Sequence, residues 1–340
     1  KLILPFVKIA IVILNWNGKN LLKKFIPSII QYTDSKYAEI YVADNASTDD
    51  SISYLKEHFP TIKIIQNNVN EGFAKGYNEA LKNIDAPYFA LLNSDIEVTE
   101  NWLDPILSHF ENNPETAIVQ PKILDFNNKQ FFEYAGAAGG FIDKYGFAYC
   151  RGRIFNKIEK DKGQYHKNTE IFWASGACFC IRSKIFKELN GFDERYFAHF
   201  EEIDLCWRAK NLNYSIKYNS ESVVYHVGGA TLKVSNPKKT YLNFRNNLYT
   251  LVKNLPKKNL FSILFIRLVL DGIAGVIYLF QLKPKHTFAI VKAHFSFYRK
   301  LSENLKIRKE NNLKKEKYYA TKSIIWSYFV SGKKHYSDLD

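Results

Sequence analysis

The sequence predicts an α/β fold in which a mostly parallel central sheet is flanked by helices and followed by a basic, helical C-terminal extension. Two observations predict the sheet: short apolar runs and helical patterns alternate through the first 120 residues, and continuous apolar runs are typical of parallel strands buried on both faces. The uneven distribution of charge predicts the basic C-terminal extension. Residues 251–340 carry 18 Lys or Arg and 6 Asp or Glu, a net charge of +12 out of +14 for the chain.

The predicted elements of the first half are, in order, strand 8–14, helix 21–32, strand 39–43, a helix ending at 58, strand 62–66, helix 73–83 and strand 88–92. This βαβα order implies right-handed crossovers and a mononucleotide-binding half-sheet. The sequence contains neither GxGxxG nor GxxxxGK[ST], so neither a dinucleotide-binding motif nor a P-loop is supported.

The second half is less regular. Residues 122–170 are rich in Gly and aromatic residues with little periodicity, and we interpret them as a long variable excursion. Further predicted elements are a strand-like segment 172–181, a helix 201–210, a strand 215–218, a second apolar segment 223–226 and helices beyond residue 240. Strand alternation therefore resumes only after the excursion.

Cysteine usage favours a reducing compartment. The four cysteines form no CxxC pair, and we expect buried, reduced thiols; they are Cys150, Cys178, Cys180 and Cys206. The sequence shows no signal peptide, so we expect a cytoplasmic protein.

The candidate ligand-binding residues lie where predicted strands end, because ligands of open α/β sheets bind beyond the carboxyl ends of the strands. The apolar run 88–92 leads to a single carboxylate, Asp95, which is how such sheets place a metal or phosphate ligand. The other loops at this edge supply Asp44, Asn45, Asn70, Gly72 and Asn78. Asp44 is suited to accept from a base or a ribose hydroxyl, although Asp44 and Asn45 would equally serve as caps of the next helix.

A second acidic cluster opens the helix predicted over 201–210. Asp204 shares a helix face with Glu201, whereas Glu202 points elsewhere. Acids in a first helical turn also complement the helix dipole, so a purely structural role remains open. His226, at the end of a strand, would be a nitrogen ligand if it lies beside Asp95, although a lone His is usually structural.

These residues resemble the inverting GT-A glycosyltransferases of family 2, and are closest to the bacterial rhamnosyltransferase-like branch. The matching segments run in the family's order from about residue 8 to 250: VILNWNG, VADNASTDDS, NEGFAKGYN, LLNSDIEV, ASGACFCIRS, GFDERYF, FEEIDLCWR, YHVGGAT and YLNFRNNLY. The resemblance implies a GT-A catalytic domain over 1–250, with a nucleotide-binding half (1–120) and an acceptor half (121–250), and a separate basic tail over 251–340.

The resemblance also implies roles for single residues. On the donor side, Asp44 would read the pyrimidine base, and Asn15 and Asn70 would line the nucleoside. Asn45, Gly72, Asn78 and Asn93 are further candidates for binding the nucleotide-sugar. Asp95 and His226 would hold a divalent cation, Mn²⁺ or Mg²⁺, on the donor diphosphate. Asn93 stands where many relatives have the first Asp of Asp-x-Asp, so the metal has one firm carboxylate.

On the acceptor side, the resemblance implies that Glu202 is the general base, with Glu201 as the alternative. The segment containing Trp173, Gly176 and Ala177 would floor the acceptor site. The implied reaction is inverting transfer of a sugar, with rhamnose one candidate, from a dTDP- or UDP-sugar to a glycan or polyprenyl-linked acceptor in cell-surface polysaccharide synthesis. The sequence does not predict the oligomeric state.

The tail contains an apolar segment that is compatible with membrane association. Residues 260–282 are long and apolar enough to span a bilayer, but Arg267 and Asp271 would each cost about 2.5–3.5 kcal/mol at its centre. Three arrangements remain open: a spanning helix, a helix packed on the catalytic domain, and a helix lying in the membrane interface. We predict the last, a peripheral protein whose residues 255–300 dock on the anionic inner face of the cell membrane.

Two other functions fit the sequence less well. A sugar nucleotidyltransferase would need a Gly-rich loop bearing Arg and Lys after the first strand, which NWNGKN lacks. A nucleic-acid binder would use the +14 charge, but that charge is confined to the tail while the motifs lie in the nearly neutral first 250 residues. We therefore expect no nucleic-acid partner.

Overall fold

The computed structural model describes residues 8–228, 235–310 and 315–339. The elements of the first half are β1 Ile9–Asn15, α1 Lys19–Gln31, β2 Ala38–Asp44, α2 Ser51–His58, β3 Lys63–Gln66, α3 Gly72–Leu81, β4 Tyr88–Asn93, β5 Ile96–Val98, α4 Asp104–Asn112 and β6 Thr116–Asp125. The elements that follow are β7 Gly140–Ile142, β8 Ala148–Cys150, β9 Arg153–Ile154, β10 Lys157–Ile158, β11 Thr169–Glu170, β12 Cys178–Arg182, α5 Ser183–Glu188, α6 Glu201–Asn211 and β13 Ser215–His226. The C-terminal helices are α7 Pro237–Asn254, α8 Leu260–Phe280, α9 Pro284–Arg299 and α10 Leu301–Glu310.

The main sheet has nine strands in the order β11-β13-β6-β12-β4-β1-β2-β3, and β5 pairs with β13. The strands β3, β2, β1 and β4 are parallel, as are β6 and β13. β12 is antiparallel to both of its neighbours, β4 and β6. The predicted mostly parallel α/β sheet is therefore confirmed.

Strand β1 shows why a continuous apolar run predicts a central strand. Ile9, Ile11 and Ile13 point into one apolar core, which packs against α1, α2 and α4. Ala10 and Val12 point into the other core, which packs against α3, α5 and α6. Because successive strand side chains alternate between the two faces, a strand covered on both faces has no polar position.

The predicted excursion over residues 122–170 leaves the main sheet slightly later than expected, and it contains regular structure. Residues 116–125 form a central strand, and a small antiparallel sheet follows in the order β10-β9-β8-β7. Its strands have only two or three residues each, too short to produce a visible period. Other boundaries also differ: only Cys178–Arg182 of the segment 172–181 is a strand, and residues 215–226 form one long strand.

All four cysteines are free and buried, as predicted. Burial raises the pKa of the Cys178, Cys180 and Cys206 thiols. They therefore remain protonated at neutral pH and behave as small apolar side chains.

Asp204 joins α6 to α7. Its carboxylate is fully buried and pairs with Arg208 at 2.8 Å and with Lys253 at 2.8 Å. Lys253 is also buried and contacts Asp193 at 2.6 Å. A buried charge is tolerated only when it is paired in this way, so Asp204 is a structural residue, whereas the acids beside it in α6 remain available for chemistry.

The C-terminal helices confirm the predicted helical extension. α7 packs against α6, α9 and α10, and residue 250 lies inside α7. An apolar cluster that includes Tyr196, Leu248 and Phe297 joins the segment before α6 to α7 and α9. The division of the chain after residue 250 stays a prediction.

Candidate active site

The carboxyl ends of β1 and β2 meet. The Asn15 Nδ2 donates to Asp44 Oδ1 at 2.9 Å, and the backbone N–H of Ser47 donates to Asp44 Oδ2 at 2.9 Å. The Asn15 Oδ1 is buried without a hydrogen-bond partner. A Cβ at Gly18 would lie 2.4 Å from this oxygen, so only glycine leaves room for it. An acceptor atom and a carboxylate are thus brought together at the sheet edge.

Asn45 and Asn70 join the loops after β2 and β3. The Asn45 Nδ2 donates to Asn70 Oδ1 at 2.9 Å and to Gly72 O at 3.0 Å, while its Oδ1 accepts from Asn67 Nδ2 at 3.2 Å. Gly72 has φ +88°, and a Cβ there would lie 2.3 Å from the Phe197 carbonyl oxygen. Gly72 therefore allows close approach to the protein's own backbone, whereas the sequence made it a candidate for binding the nucleotide-sugar.

Asn78 is not at the predicted nucleotide site. Its Nδ2 donates to Phe192 O at 2.9 Å and to Glu194 Oε1 at 3.1 Å, and its Oδ1 accepts from Phe192 N at 2.9 Å. These bonds use both amide hydrogens and one lone pair of the oxygen to hold the segment that follows α5. Asn78 therefore supports the protein's own backbone, which corrects its prediction as a donor-binding residue.

Asp95 and His226 lie together, which is the condition under which the sequence made His226 a candidate nitrogen ligand. The Asp95 Oδ1 is 3.1 Å from His226 Nε2, and Glu133 Oε1 is 3.2 Å from His226 Nδ1. All three side chains are buried. Burial lowers the pKa of His226, but the carboxylates of Glu133 and Asp95 outweigh this effect and raise the pKa to about 10. Glu133 lies at ion-pair distance from Nδ1, and this contact favours the ring orientation in which Nε2 faces Asp95.

This arrangement fits a divalent cation in part. The Asp95–His226 separation of 3.1 Å is that of a charged hydrogen bond in this structure. It is also close to the distance of about 3.0 Å between two ligand atoms at right angles around an ion with bonds of about 2.1 Å, so a cation that displaced the Nε2 proton would fit between the two side chains. Within the part of the chain that the structure describes, no cluster of three or more His, Cys, Asp or Glu side chains forms a metal site. The pair would thus need ligand atoms from a bound substrate to complete the coordination.

The two glutamates at the start of α6 differ in environment. Burial, followed by repulsion from Glu202, raises the pKa of Glu201 well above its usual value. Burial also raises the pKa of Glu202, to about 7, against the effect of nearby backbone amides that include Gly176. Each has a carboxylate oxygen, Oε2, that is buried without a hydrogen-bond partner. Glu202 is the less buried of the two and would exchange a proton near neutral pH.

A short peptide lies between Glu202 and the end of β4. A Cβ at Gly176 would lie 3.8 Å from Glu202 Cδ, and Ala177 O accepts from Asn93 N at 2.9 Å. Trp173 does not share this place. Its ring is 3% exposed, packs on Gly140 and donates from Nε1 to Phe141 O at 2.9 Å. The structure therefore corrects the prediction that Trp173 floors the acceptor site; Gly176 and Ala177 lie beside the candidate base.

The backbone immediately before Glu201 is strained. Phe197, His199 and Phe200 have φ of 65°, 70° and 73°, a region that costs a residue other than glycine about 1–3 kcal/mol. Asn246 Nδ2 donates to three carbonyls of this segment, those of Tyr196, Ala198 and His199, at 3.1, 2.9 and 2.7 Å. The strain persists because α7 holds these carbonyls, and the segment sets the start of α6.

We expect Asn246→Ala to lower kcat by about 100-fold, because a displacement of about 1 Å of a catalytic group has an effect of that size. KM for the donor should change little, since the change acts through the position of Glu202. The matched control is Asn247→Ala. This neighbouring side chain is also buried, but its Nδ2 donates to Gly146 O at 2.7 Å. Equal losses of kcat in the two variants would contradict the positioning role.

Sequence reasoning missed three residues of this region. Glu133 lies in the segment taken as an excursion, and nothing in its surroundings signals a partnership with His226. Asn246 lies on α7, far along the chain from the segment that it holds. Trp16 directly follows Asn15 and is half exposed; an exposed ring beside candidate binding residues was a signal that could have been read.

Comparisons with known proteins identify the fold and the family. The crystal structure of GalNAc-T7 with UDP, GalNAc and Mn²⁺ matches at a TM-score of 0.63 and 16% identity, over 96% of this chain and 57% of that one. The fold is thus that of the GT-A glycosyltransferases. The model of the family described as glycosyl transferase family 2 matches residues 10–190. The chain belongs to that family and is a glycosyltransferase.

Two curated relatives show the range of that family. The N-acetylglucosaminyl-diphospho-decaprenol L-rhamnosyltransferase of Mycobacterium tuberculosis is 22% identical over 226 residues, which are 62% of this chain and 73% of the relative. The polypeptide N-acetylgalactosaminyltransferase 4 of Caenorhabditis elegans is 27% identical over 218 residues, which are 62% of this chain and 34% of the relative. The match thus spans about a third of the second protein.

Proposed function

We propose that this enzyme transfers a sugar, with inversion, from a dTDP- or UDP-sugar to a glycan or polyprenyl-linked acceptor. The observation that carries the proposal is that two kinds of group lie beyond the end of β4. Asp95 and His226 form one pair. The separate carboxylate of Glu202, whose pKa is raised to about 7, lies beside Gly176, and the next residue, Ala177, is hydrogen-bonded to Asn93 at the end of β4. Only one such base is needed, since inversion is a single displacement at the anomeric carbon. The name of the mycobacterial relative supports rhamnose as the first sugar to test.

Different residues bind the nucleoside and activate the acceptor. Asn15 and Asp44 hold the nucleoside, and the half-exposed ring of Trp16 offers a face on which a base can stack. Glu202 accepts the proton of the acceptor hydroxyl as the bond to the anomeric carbon forms. Glu201 stays protonated at neutral pH, so it adds no second negative charge beside the base.

Asp95 and His226 are the residues that would hold Mn²⁺ or Mg²⁺. A divalent cation there would neutralise the charge that develops on the nucleoside diphosphate as it leaves. Glu133 keeps the His226 imidazole turned toward Asp95. The presence of Mn²⁺ in the GalNAc-T7 structure supports the same type of ion.

The proposed acceptor places the enzyme at a membrane. The mycobacterial relative is named for a decaprenyl diphosphate acceptor, and the tail of this chain is basic. We propose a cytoplasmic, peripheral enzyme at the anionic inner face of the cell membrane, in cell-surface polysaccharide synthesis.

Thermal-shift screening of UDP- and dTDP-sugars with Mn²⁺ or Mg²⁺ tests the donor. A ligand at 100 times its Kd adds about 2.7 kcal/mol of apparent stability, so the true donor should raise Tm well above the other sugars. NMR of the product's anomeric proton then tests inversion. If no nucleotide-sugar raises Tm with either ion, the proposed donor class is wrong; retention of configuration would contradict the single displacement.

A further inference from the structure

Helix α8 points its charged residues inward and its apolar residues outward. Its buried side chains are Ile263, Arg267, Asp271 and Gly275, which are spaced four apart and share one face. The opposite face is exposed and apolar, and includes Phe261, Phe265, Val269, Ile273, Val276 and Phe280. Phe261 and Phe280, near its two ends, are 83% and 85% exposed. A helix that faces water has the reverse arrangement.

Both inward charges have partners, although Arg267 Nε is buried without a hydrogen-bond partner. Arg267 pairs with Asp271 at 3.1 Å, and its guanidinium lies 3.7 Å from the centre of the Phe147 ring. The other Asp271 oxygen is 3.2 Å from His294 Nε2 on α9. The two charges that interrupt the apolar run in the sequence therefore do not interrupt the exposed face of the helix.

Helix α9 continues this face with basic and aromatic residues. Lys285, Phe288, Lys292, Phe295 and Arg299 are three or four residues apart, so they share one side of the helix, and all five are exposed. The Thr287 hydroxyl donates to Gly275 O at 2.8 Å, which fixes α9 against α8. We call the exposed sides of α8 and α9 the hairpin face.

The charged side chains around the hairpin face are almost all positive. Residues 255–300, all of which the structure describes, contain eight Lys or Arg and one acid, Asp271. Arg267 and Asp271 are buried, and the other basic residues are exposed. Basic residues interleaved with exposed Phe are typical of helices that lie in the interface of an anionic membrane.

We infer that the hairpin face lies flat in the headgroup region of an anionic phospholipid membrane, with its Phe side chains in the acyl boundary, and does not cross the bilayer. The inference deepens the proposed function, since it assigns the surface that brings the active site to a lipid-linked acceptor. A second copy of the chain is a poorer occupant, because pairing two such faces would oppose like charges. Nucleic acid is a poorer one too, because it offers no apolar partner for α8.

Spanning conflicts with the packing of α8. The helix over Lys257–Phe280 is long and apolar enough to cross a membrane by length and composition. Crossing would withdraw Arg267 from Phe147 and Tyr145 O, its partners on the catalytic domain. It would also place two charges in hydrocarbon.

Vesicle sedimentation of the full chain tests the inference. We expect co-sedimentation with phosphatidylglycerol/phosphatidylcholine vesicles and none with pure phosphatidylcholine. Lys285→Gln/Lys292→Gln/Arg299→Gln should weaken binding by about 100-fold, given the size of the attraction of each basic residue to an anionic surface. Phe261→Glu/Phe280→Glu should weaken it as strongly. Ile30→Glu/Gln31→Glu, which adds the same charges at exposed positions of α1, should bind as wild type.

Two further measurements separate this inference from the proposed function. Calorimetric binding of UDP and dTDP with Mn²⁺ in solution should be equal in wild type and all three variants. If the wild type bound neither nucleotide, the proposed function would be contradicted, whereas the result with vesicles would still hold. Equal recovery of wild type in the supernatant with both vesicle types would overturn the inference. So would a solution dimer abolished by Phe261→Glu/Phe280→Glu, or retention in cell membranes after alkaline carbonate extraction, which would indicate a spanning helix.

Discussion

Glu202→Gln is expected to lower kcat by about 10²- to 10⁴-fold, the usual contribution of a positioned general base. Donor affinity should remain nearly unchanged, because the lost interaction with the acceptor proton matters mainly in the transition state. The measurement is steady-state transfer at saturating donor, with nucleotide binding measured separately on the same preparations.

The pH dependence of kcat provides an independent readout. A base works in its deprotonated form, and the pKa of Glu202 is raised to about 7. In the wild type, kcat should therefore rise about tenfold per pH unit below 7 and level off above it. The rise should disappear in Glu202→Gln, because the amide does not titrate.

Glu201→Gln is the matched control. Its raised pKa keeps Glu201 neutral at pH 7, so an uncharged amide of the same shape should retain most of the activity. An inactive Glu201→Gln beside an active Glu202→Gln would reverse the two roles. If both variants were active, neither glutamate of α6 would be the general base.

Asp95→Ala should abolish transfer, since it removes the one firm carboxylate of the proposed cation site and leaves His226 alone. Calorimetry with Mn²⁺ in the presence of UDP should show that ion binding is lost together with activity. Glu100→Ala is the control, because it removes a carboxylate that is exposed only five residues away. Full turnover of the wild type in excess chelator would show that the cation assignment is wrong.

Local pattern was sufficient for the elements from β1 to β4. The run that became β1 has no polar position between Ile9 and Leu14, and only a strand covered on both faces has that property. Parallel strands joined by helices bring their carboxyl ends to one edge. The proximity of Asn15 to Asp44 therefore followed from the chain order, and the raised pKa of Glu202 then depended on how deeply α6 is buried.

Only tertiary contacts decided which polar residues remain available for chemistry. Asn78 and Asp204 resemble site residues in the sequence, yet their hydrogen-bonding atoms are occupied by Phe192 and by Lys253, which lie far along the chain. Glu133 resembles a loop residue and instead holds His226. Such pairings join segments without a shared period, so no local pattern predicts them.

The orientation of α8 was decided in the same way. The sequence by itself determined that this segment is a long apolar helix with Arg267 and Asp271 one turn apart, because composition and helical spacing are local properties. Whether these charges face water or protein depends on the rotation of the helix about its axis. Phe147, Tyr145 O and His294 set that rotation, because a buried ion pair requires partners on every side, and it leaves the apolar residues of α8 exposed.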